Sequence, residues 1–123
     1  IEYYWNGKIK IRGEYVNNKP SFIWKSYFLD GSMESTGQMF EGNKFSEWNE
    51  YHLNGRISII SNYNNQGQLN GNYYKYDNNG KIIYSANYLQ DKLNGGYKEY
   101  YLDGEVALNG NYKMGLKNGI KKD

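Results

Sequence analysis

Five glycine residues recur along the chain at nearly constant intervals. Gly7, Gly31, Gly55, Gly80 and Gly104 are separated by 24, 24, 25 and 24 residues, and each of them follows Asn or Asp. Asn-Gly and Asp-Gly predict a two-residue β-hairpin turn, because both central residues of that turn take a positive φ. A turn signal at a fixed period indicates one small structural unit that is used repeatedly. The spacing therefore predicts an all-β repeat protein, and it argues against an enzyme.

Other residues keep the same period when the turn glycine of each unit is taken as position zero. Position −4 is always Tyr, position +2 is apolar, position +6 is small and position +8 is Tyr or Met. One additional residue, in the connection 64–68, accounts for the single interval of 25. We therefore predict that residues 1–123 form one domain of about five stacked 24-residue β-hairpin repeats in an elongated antiparallel sheet.

The runs of Tyr, Ile, Trp and Phe between the turn signals predict ten strands. The fourth unit departs most from the pattern, with Asp77 and Asn78 before its turn, and a looser strand end is expected there. The single proline, Pro20, falls in a connection between units, where it removes no ladder hydrogen bond. The predicted strands lie near 2–5, 8–16, 22–29, 32–40, 46–53, 56–63, 70–77, 81–89, 96–102 and 105–113. Loops connecting the units are predicted along one edge of the sheet, at 17–21, 41–44, 64–68, 90–95 and 114–118.

The turn chemistry also predicts which residues face each other across a hairpin. With a two-residue turn, position −3 lies opposite +2 and position −7 lies opposite +6, and paired residues share a face. Each aromatic residue at −7 then faces a small residue, whose missing packing the ring supplies. One face is predicted to be apolar and aromatic, whereas the other carries the −4 tyrosines and polar residues. The predicted −7/+6 pairs are Trp24 with Gly37, Trp48 with Ser61, Tyr73 with Ala86, and Tyr97 with Gly110.

The composition excludes several classes of site. The net charge is +2 without a stripe of Lys or Arg, which argues against nucleic-acid binding. The absence of Cys excludes disulfides and cysteine-based zinc sites, and the sequence carries no motif for a cofactor or a metal ion. No apolar segment is long enough for a membrane-spanning helix. Aromatic residues make up 18% of the chain although the mean hydropathy is −0.96, so Tyr and Trp have to supply the apolar packing.

Two groups of residues invite a catalytic interpretation, and a structural one accounts for both. His52 is the only histidine, and the same position holds Tyr or Phe in other units, so we interpret it as a packing residue. Glu47 and Glu50 flank Trp48, an arrangement that in isolation suggests a glycosidase. Glu99 repeats Glu50 in the last unit, however, which favours a solvated or cross-strand charge.

The aromatic face is the one feature with functional promise. Tyr-rich surfaces give large contact areas at a low cost in side-chain entropy, so the rings could line a groove for a partner. The alternative is that the rings form only the stacking core, and both interpretations hold together because a single-layer sheet cannot bury two faces. The candidate binding residues are Trp24, Trp48, Tyr73 and Tyr97 at position −7, and Tyr15, Tyr63, Tyr88 and Tyr112 at position +8.

The units resemble the bacterial variant of the MORN repeat. The matching segments run from Trp24 to Gly42, which includes Tyr-Phe-Leu-Asp-Gly, and from Gly96 to Gly115. The resemblance implies stacked hairpins that form a twisted sheet with a groove, and a scaffold or binding function. It also implies an antitoxin-like protein or one at the bacterial cell surface, with the cytoplasm as the alternative compartment. It implies no kinase activity here, because neither a glycine-rich phosphate loop nor its lysine is present.

Three functions from different classes follow from these observations. The first is a protein-interaction module, which we favour. The second is a module that binds a membrane surface, and it is weakened by the small net charge. The third is a glycan-binding module or an enzyme that hydrolyses carbohydrate, which the Trp and Tyr content permits although a catalytic pair is missing. Because the chain enters in the middle of a unit, residues before Ile1 are expected, and open strand edges also favour edge-to-edge self-association.

Overall fold

Residues 1–15 and 21–117, together with all their side chains except those of residues 15, 21 and 117, are described by a computed structural model. This part of the chain is all-β and forms one antiparallel sheet of eleven strands, each paired with its neighbours in sequence. The all-β hairpin-repeat fold is thereby confirmed. The strands are β1 Glu2–Tyr3, β2 Ile9–Tyr15, β3 Ser21–Tyr27, β4 Met33–Phe40, β5 Asn43–Tyr51, β6 Ile57–Tyr63, β7 Gly71–Tyr76, β8 Ile82–Leu89, β9 Lys92–Tyr100, β10 Val106–Lys113 and β11 Leu116–Lys117.

The Asn/Asp-Gly pairs lie in hairpin turns, but the predicted two-residue geometry is wrong. In the second unit, the amide of Gly31 donates to the carbonyl of Phe28 (2.9 Å) and the amide of Phe28 donates to the carbonyl of Ser32 (2.8 Å). Three residues therefore separate the last bonded pair, and only the glycine has a positive φ, 94° at Gly31. This is a type I turn closed by a glycine bulge, the usual form of a three-residue hairpin.

The Asn or Asp before each glycine acts as a hydrogen-bond acceptor and does not supply a positive φ. The Oδ1 atom of Asp30 accepts the backbone amide of Ser32 (2.9 Å), and Asn6, Asn54 and Asp103 make the equivalent bond. Short side-chain oxygens favour turns for this reason. In the fourth unit the acceptor is Asp77, whose Oδ1 receives two backbone amides. The looser strand end that was expected there is therefore wrong, because Asp77 caps the turn.

The tight two-residue turns occur between the units, where longer loops were predicted. Positive φ values at Glu41 and Gly42, and at Gln90 and Asp91, are those of type I′ turns. The predicted loops 41–44 and 90–95 are wrong, because β5 and β9 begin directly after these turns. The loop 114–118 is also wrong in its described part, since residues 114–115 form a third such turn and lead into β11, which the sequence analysis missed.

The extra residue of the third unit lies where it was predicted. In the connection 64–68, Asn64 donates to the carbonyl of Gln68 (2.9 Å) and Gly67 has a φ of 79°. This connection thus uses the three-residue turn with a glycine bulge in place of the two-residue turn, which absorbs one residue. After the turn, Leu69 forms an isolated bridge to Tyr63, and β7 begins only at Gly71. The connection that contains Pro20 lies outside the described residues, apart from Ser21, which begins β3.

The predicted register is confirmed in the middle of each hairpin and wrong next to the turn. All four −7/+6 pairs are present; Trp24, for example, lies opposite Gly37. Next to the turn, Tyr27 and not Phe28 faces Met33, because the turn contains one residue more than predicted. A register shift between Ser26 and Tyr27 takes up this residue, so the faces are as predicted farther along the strands.

The core lies on the aromatic face, beneath the rings. Within the described residues the most buried apolar side chains are Trp48, 2% exposed, and Ala86, 4% exposed. Ser61, at the same repeat position as Ala86, is 1% exposed. Each of these small residues sits opposite a −7 aromatic residue, which covers it as the register requires. The sheet therefore builds a thin core from one side only.

Ser46 lies in β5 with a φ of 61°, a conformation that costs most side chains about 1–2 kcal/mol. The equivalent positions of the next two units hold Gly71 and Gly95, whose φ values are 113° and 106°. We expect Ser46→Gly to raise the free energy of unfolding by about 0.5–1 kcal/mol, because glycine removes this strain. Urea unfolding followed by circular dichroism measures the change. A destabilised variant would contradict the prediction, and Gly71→Ala, as the reverse control, should lose stability.

Side chains at the hairpin turns connect some successive units and not others. The hydroxyl of Tyr4, in the first unit, donates to the carbonyl of Tyr27 in the second unit (2.7 Å). In the same way, Nε2 of His52, in the third unit, donates to the carbonyl of Tyr76 in the fourth unit (2.9 Å). Asn6 and Asn54 add side-chain amide bonds to the following turn. The second unit has Phe28 and Asp30 at these positions, and neither side chain can donate. His52 thus takes the structural role of Tyr4.

Hydrogen bonds from Ser32, followed by the positive charge of Lys8, hold the pKa of Asp30 below its usual value of 3.8. A carboxylate whose pKa is lowered by folding stabilises the fold above the unfolded pKa and loses that contribution as the pH falls through the folded pKa. We expect Asp30→Asn to remove this dependence, because the amide keeps the acceptor oxygen and does not titrate. Urea unfolding of both proteins between pH 5 and pH 2.5 should show the wild type losing more stability. Equal losses of stability in the wild type and in Asp30→Asn would contradict the assignment of this pH dependence to Asp30.

Candidate functional site

The candidate site is the aromatic face of the sheet, which we define by the side chains of positions −7, +4 and +8 in the third to fifth units. Strand alternation directs these side chains to one side, since residues two apart along a strand share a face. The cross-strand pairs Tyr73–Ala86 and Tyr97–Ala86 place the −7 residues of neighbouring units around one small residue. The aromatic members of this face are Trp48, Tyr63, Tyr73, Tyr84, Tyr88, Tyr97 and Tyr112, and Ile59 and Leu108 complete it at position +4.

Five of these residues form a continuous tyrosine ladder. Tyr73 contacts Tyr84 and Tyr88 edge-on, with ring centroids 5.6 and 5.7 Å apart. Tyr84 in turn contacts Tyr97 at 5.3 Å, and Tyr97 contacts Tyr112 at 5.7 Å. Edge-to-face contacts of this kind are attractive beyond the area they bury, because the ring edge is positive and the ring face negative. The ladder is a single rigid unit spanning β7 to β10.

The third unit arranges its aromatic pair differently. The indole of Trp48 is buried, and its Nε1–H donates to the carbonyl of Gln38 (2.8 Å). The ammonium nitrogen of Lys44 lies 4.8 Å from the ring centroid of Trp48 and 5.5 Å from that of Tyr63. This is the distance range of cation–π attraction. The aromatic pair of the third unit is thus covered by a cation from the same unit.

A cavity of about 180 Å³ opens on the ladder in the fourth unit. Its walls are the rings of Tyr73, Tyr84 and Tyr88, with Leu69 and Lys75 completing the lining. The hydroxyls of Tyr84 and Tyr88 are 2.9 Å apart and share one hydrogen bond. The cavity therefore combines apolar walls with hydroxyl groups and one ammonium group, the mixture that is typical of a ligand site.

Burial raises the pKa of Tyr73, Tyr84 and Tyr97 above the usual tyrosine value. For Tyr84 the hydrogen bond to Tyr88 adds to this effect. Nearby carboxylates contribute as well: Glu50 raises the pKa of Tyr73, and Glu99 that of Tyr97. The raised pKa values keep the hydroxyls of Tyr73, Tyr84 and Tyr97 protonated to a higher pH than an ordinary tyrosine, so these three groups remain able to donate hydrogen bonds.

The structure brings together most of the predicted site residues. Tyr73, Tyr88, Tyr97 and Tyr112 belong to the ladder, and Trp48 and Tyr63 share the cation of Lys44. Trp24 lies across Gly37 from Trp48, and its ring contact is with Phe22, with ring centroids 6.4 Å apart, and not with the ladder. The side chain of Tyr15 lies outside what the structure describes, although its backbone ends β2. The binding role of all eight residues stays a prediction.

Sequence reasoning missed three residues of the site: Lys44, Leu69 and Tyr84. Lys44 and Leu69 both stand eleven residues before their turn glycine; Lys44 falls in the predicted loop 41–44, and Leu69 falls between the predicted loop 64–68 and the predicted strand 70–77. Tyr84 had been placed on the aromatic face but not among the binding residues. Lys44 and Leu69 could have been identified from their pairing with the residue at position +8 of the preceding unit, as in Met39–Lys44, because paired residues share a face.

The residues considered for catalysis are distributed without a common site. Glu47 and Glu50 both lie on β5, but they are three residues apart and so face opposite sides of the sheet, and Glu99 lies on β9. The ion pairs of the described residues join Arg12 and Lys25 to Glu14 and involve none of these three glutamates. Within residues 1–15 and 21–117, no group of three His, Asp or Glu side chains is placed to hold a metal ion. The same part of the chain contains no helix long and apolar enough to cross a membrane.

The comparisons with known proteins agree with the repeat interpretation over part of the chain. Residues 69–90 match the family model described as the MORN repeat variant. This segment holds β7 and β8, which contribute Tyr73, Tyr84 and Tyr88 to the ladder. Neither the curated proteins nor the solved structures give a match. The fourth unit of this chain is therefore similar to a MORN repeat variant, a type of repeat module.

Proposed function

We propose that this chain is a non-enzymatic repeat module whose aromatic face binds a protein partner. The observation that carries the proposal is the tyrosine ladder, which lies on a face that no second layer of the described residues covers. Tyrosine offers a rigid ring and a polar tip, so it makes large contacts at a low entropy cost. The MORN-variant match at residues 69–90 supports a repeat module that serves in binding.

The absence of catalytic activity belongs to the same proposal. The ring of His52 is engaged by a backbone carbonyl, as is the hydroxyl of Tyr4 at the equivalent position. Glu47 and Glu50 stand three residues apart on β5 in unbroken register with β6, so strand alternation directs their side chains to opposite faces and they do not form a carboxylate pair on one bond. These observations favour binding over chemistry. An antitoxin-like function is the specific form that the resemblance suggests, and the partner would then be a toxin protein.

The lack of cysteine allows a direct test of which face binds. Lys75 is exposed at the cavity on the aromatic face, whereas Lys98 is exposed on the opposite face beside Asn72 and Tyr74. Lys75→Cys and Lys98→Cys, each labelled with a polyethylene glycol maleimide, block one face without removing a ring. We expect the label at position 75 to abolish binding of the partner and the label at position 98 to leave it unchanged.

The partner is first retained from the source cells by the unlabelled chain and identified, and its affinity is then measured with purified proteins. Circular dichroism of the labelled variants confirms that the fold is intact. Loss of binding with the label at position 98 alone would place the interface on the opposite face and overturn the proposal. Turnover of a partner or a small molecule by the purified chain would overturn its non-enzymatic part.

A second candidate function rests on a separate observation, the exposed apolar residues at the hairpin tips. Trp5, 87% exposed, and Leu102, 77% exposed, occupy the same turn position as Leu29 and Leu53. A row of Trp and Leu side chains is suited to the interfacial region of a bilayer. Flotation with phosphatidylcholine vesicles tests it: wild type should float, and Trp5→Ser with Leu102→Ser should not. No flotation of the wild type would dismiss this function.

A further inference from the structure

The third and fourth units can be compared directly, because among the described side chains a lysine ammonium group lies over the aromatic pair of the third unit and not over that of the fourth. In the third unit Lys44, eleven residues before the turn glycine, places its ammonium over Trp48 and Tyr63. In the fourth unit the corresponding residue is Leu69, and the corresponding rings are Tyr73 and Tyr88. Within residues 1–15 and 21–117, no ammonium group lies over the rings of Tyr73 and Tyr88 as that of Lys44 does in the third unit, and the cavity of about 180 Å³, with Lys75 in its lining, opens beside them.

The backbone at Leu69 is fixed independently of its side chain. Its amide donates to Oδ1 of Asp91 (2.7 Å), and its carbonyl accepts the amide of Asp91 (2.9 Å). It is also bridged to Tyr63, as Lys44 is paired with Met39 in the preceding unit. Leu69 and Lys44 are thus equivalent in their backbone pairing, and exchanging their side chains leaves these bonds in place.

The surroundings of the cavity favour a positive charge. Tyr73, Tyr84 and Tyr88 present electron-rich rings, and a cation near such faces is attracted by the ring quadrupole. The carboxylate of Glu50 lies close enough to raise the pKa of Tyr73, and that of Glu99 acts in the same way on Tyr97. The ammonium group of Lys75, which is exposed at the rim of the cavity, opposes this attraction.

We propose that the cavity formed by Leu69, Tyr73, Tyr84 and Tyr88 receives a cationic side chain, Lys or Arg, of the protein partner. The inference rests on the proposed function, since it names the chemistry of the partner at the same face. The partner side chain takes the place that Lys44 occupies in the third unit. The ammonium group of Lys75 repels a cation in the cavity, so removing this charge should strengthen the binding of a cationic side chain.

Tetramethylammonium chloride is the first probe, with tert-butanol as an uncharged molecule of similar size. We expect the ring resonances of the ladder to shift and saturate with tetramethylammonium and to respond less to tert-butanol at the same ionic strength. Leu69→Lys should abolish the response by supplying an internal cation, and Lys44→Leu should create a second response at Tyr63. Circular dichroism verifies that both variants fold. An equal response to both probes would overturn the inference.

The second experiment measures binding of short peptides that are rich in Lys and Arg, rich in Asp and Glu, or uncharged. We expect only the cationic peptides to bind, and we expect Lys75→Ser, the residue found at equivalent position 26, to strengthen their binding roughly two- to fivefold. Preference for the acidic peptide, weakened by Lys75→Ser, would overturn the inference. That preference would mean that the partner docks on this face through acidic or uncharged side chains, so the inference would fail while the proposed function stands. A partner that still binds with the label at position 75 overturns the proposed function itself.

Discussion

Trp48→Ala is expected to lower the free energy of unfolding by about 3–5 kcal/mol, the largest effect of any single substitution proposed for this chain. The indole is 2% exposed, and it covers Gly37 and Ser61 from the neighbouring strands. Its removal leaves a void in a thin core and an unpaired carbonyl at Gln38, which now accepts the indole N–H. Urea unfolding monitored by far-ultraviolet circular dichroism measures the loss.

Two variants separate the packing role of Trp48 from a role in binding. Trp48→Tyr introduces the residue that the fourth and fifth units carry at this position, and it should cost clearly less than the alanine variant. Trp5→Ala removes an indole that is 87% exposed, and it should change stability by less than about 0.5 kcal/mol. A Trp48→Ala protein of wild-type stability that has lost its partner would show that Trp48 belongs to the binding surface and not to the core.

Gly37→Ala is expected to cost about 3 kcal/mol although it adds only one methyl group. Gly37 lies between Trp24 on β3 and Trp48 on β5, and a Cβ atom there would overlap the indole of Trp48. The indole is buried and held by its hydrogen bond to Gln38, so it cannot move aside at low cost. The midpoint of urea unfolding should fall accordingly.

Gly110→Ala is the matched control for this substitution. Gly110 occupies the same repeat position, but an added Cβ would meet only the ring of Tyr112, at an ordinary contact distance of 3.5 Å. The fourth unit already holds Ala86 there, so alanine is compatible with the backbone. We expect a change of less than about 0.5 kcal/mol. Equal losses for Gly37→Ala and Gly110→Ala would contradict the steric explanation.

The period of the glycines was sufficient to predict the sheet, the hairpins and the central register. The pairing of Trp24 with Gly37 and of Tyr97 with Gly110 followed from the spacing alone, because strand pairing repeats with the unit. The turn geometry was not predictable from Asp30-Gly31, since this dipeptide serves both two-residue turns and type I turns with a glycine bulge. The two are distinguished by the backbone: Gly31 alone has a positive φ, and the amide of Phe28 donates to the carbonyl of Ser32.

The sequence by itself determined that the aromatic residues at −7 lie opposite small residues and share one face with the residues at +8, since alternation along a strand fixes sides once the register is known. Only the tertiary structure decided which aromatic rings are covered by a lysine side chain of this protein and which are left accessible. Lys44 reaches Trp48 and Tyr63 because the two-residue turn at 41–42 brings it back over its own unit. At the same place Leu69 leaves Tyr73 and Tyr88 uncovered, and this difference depends on side-chain reach across strands, which a repeat pattern does not record.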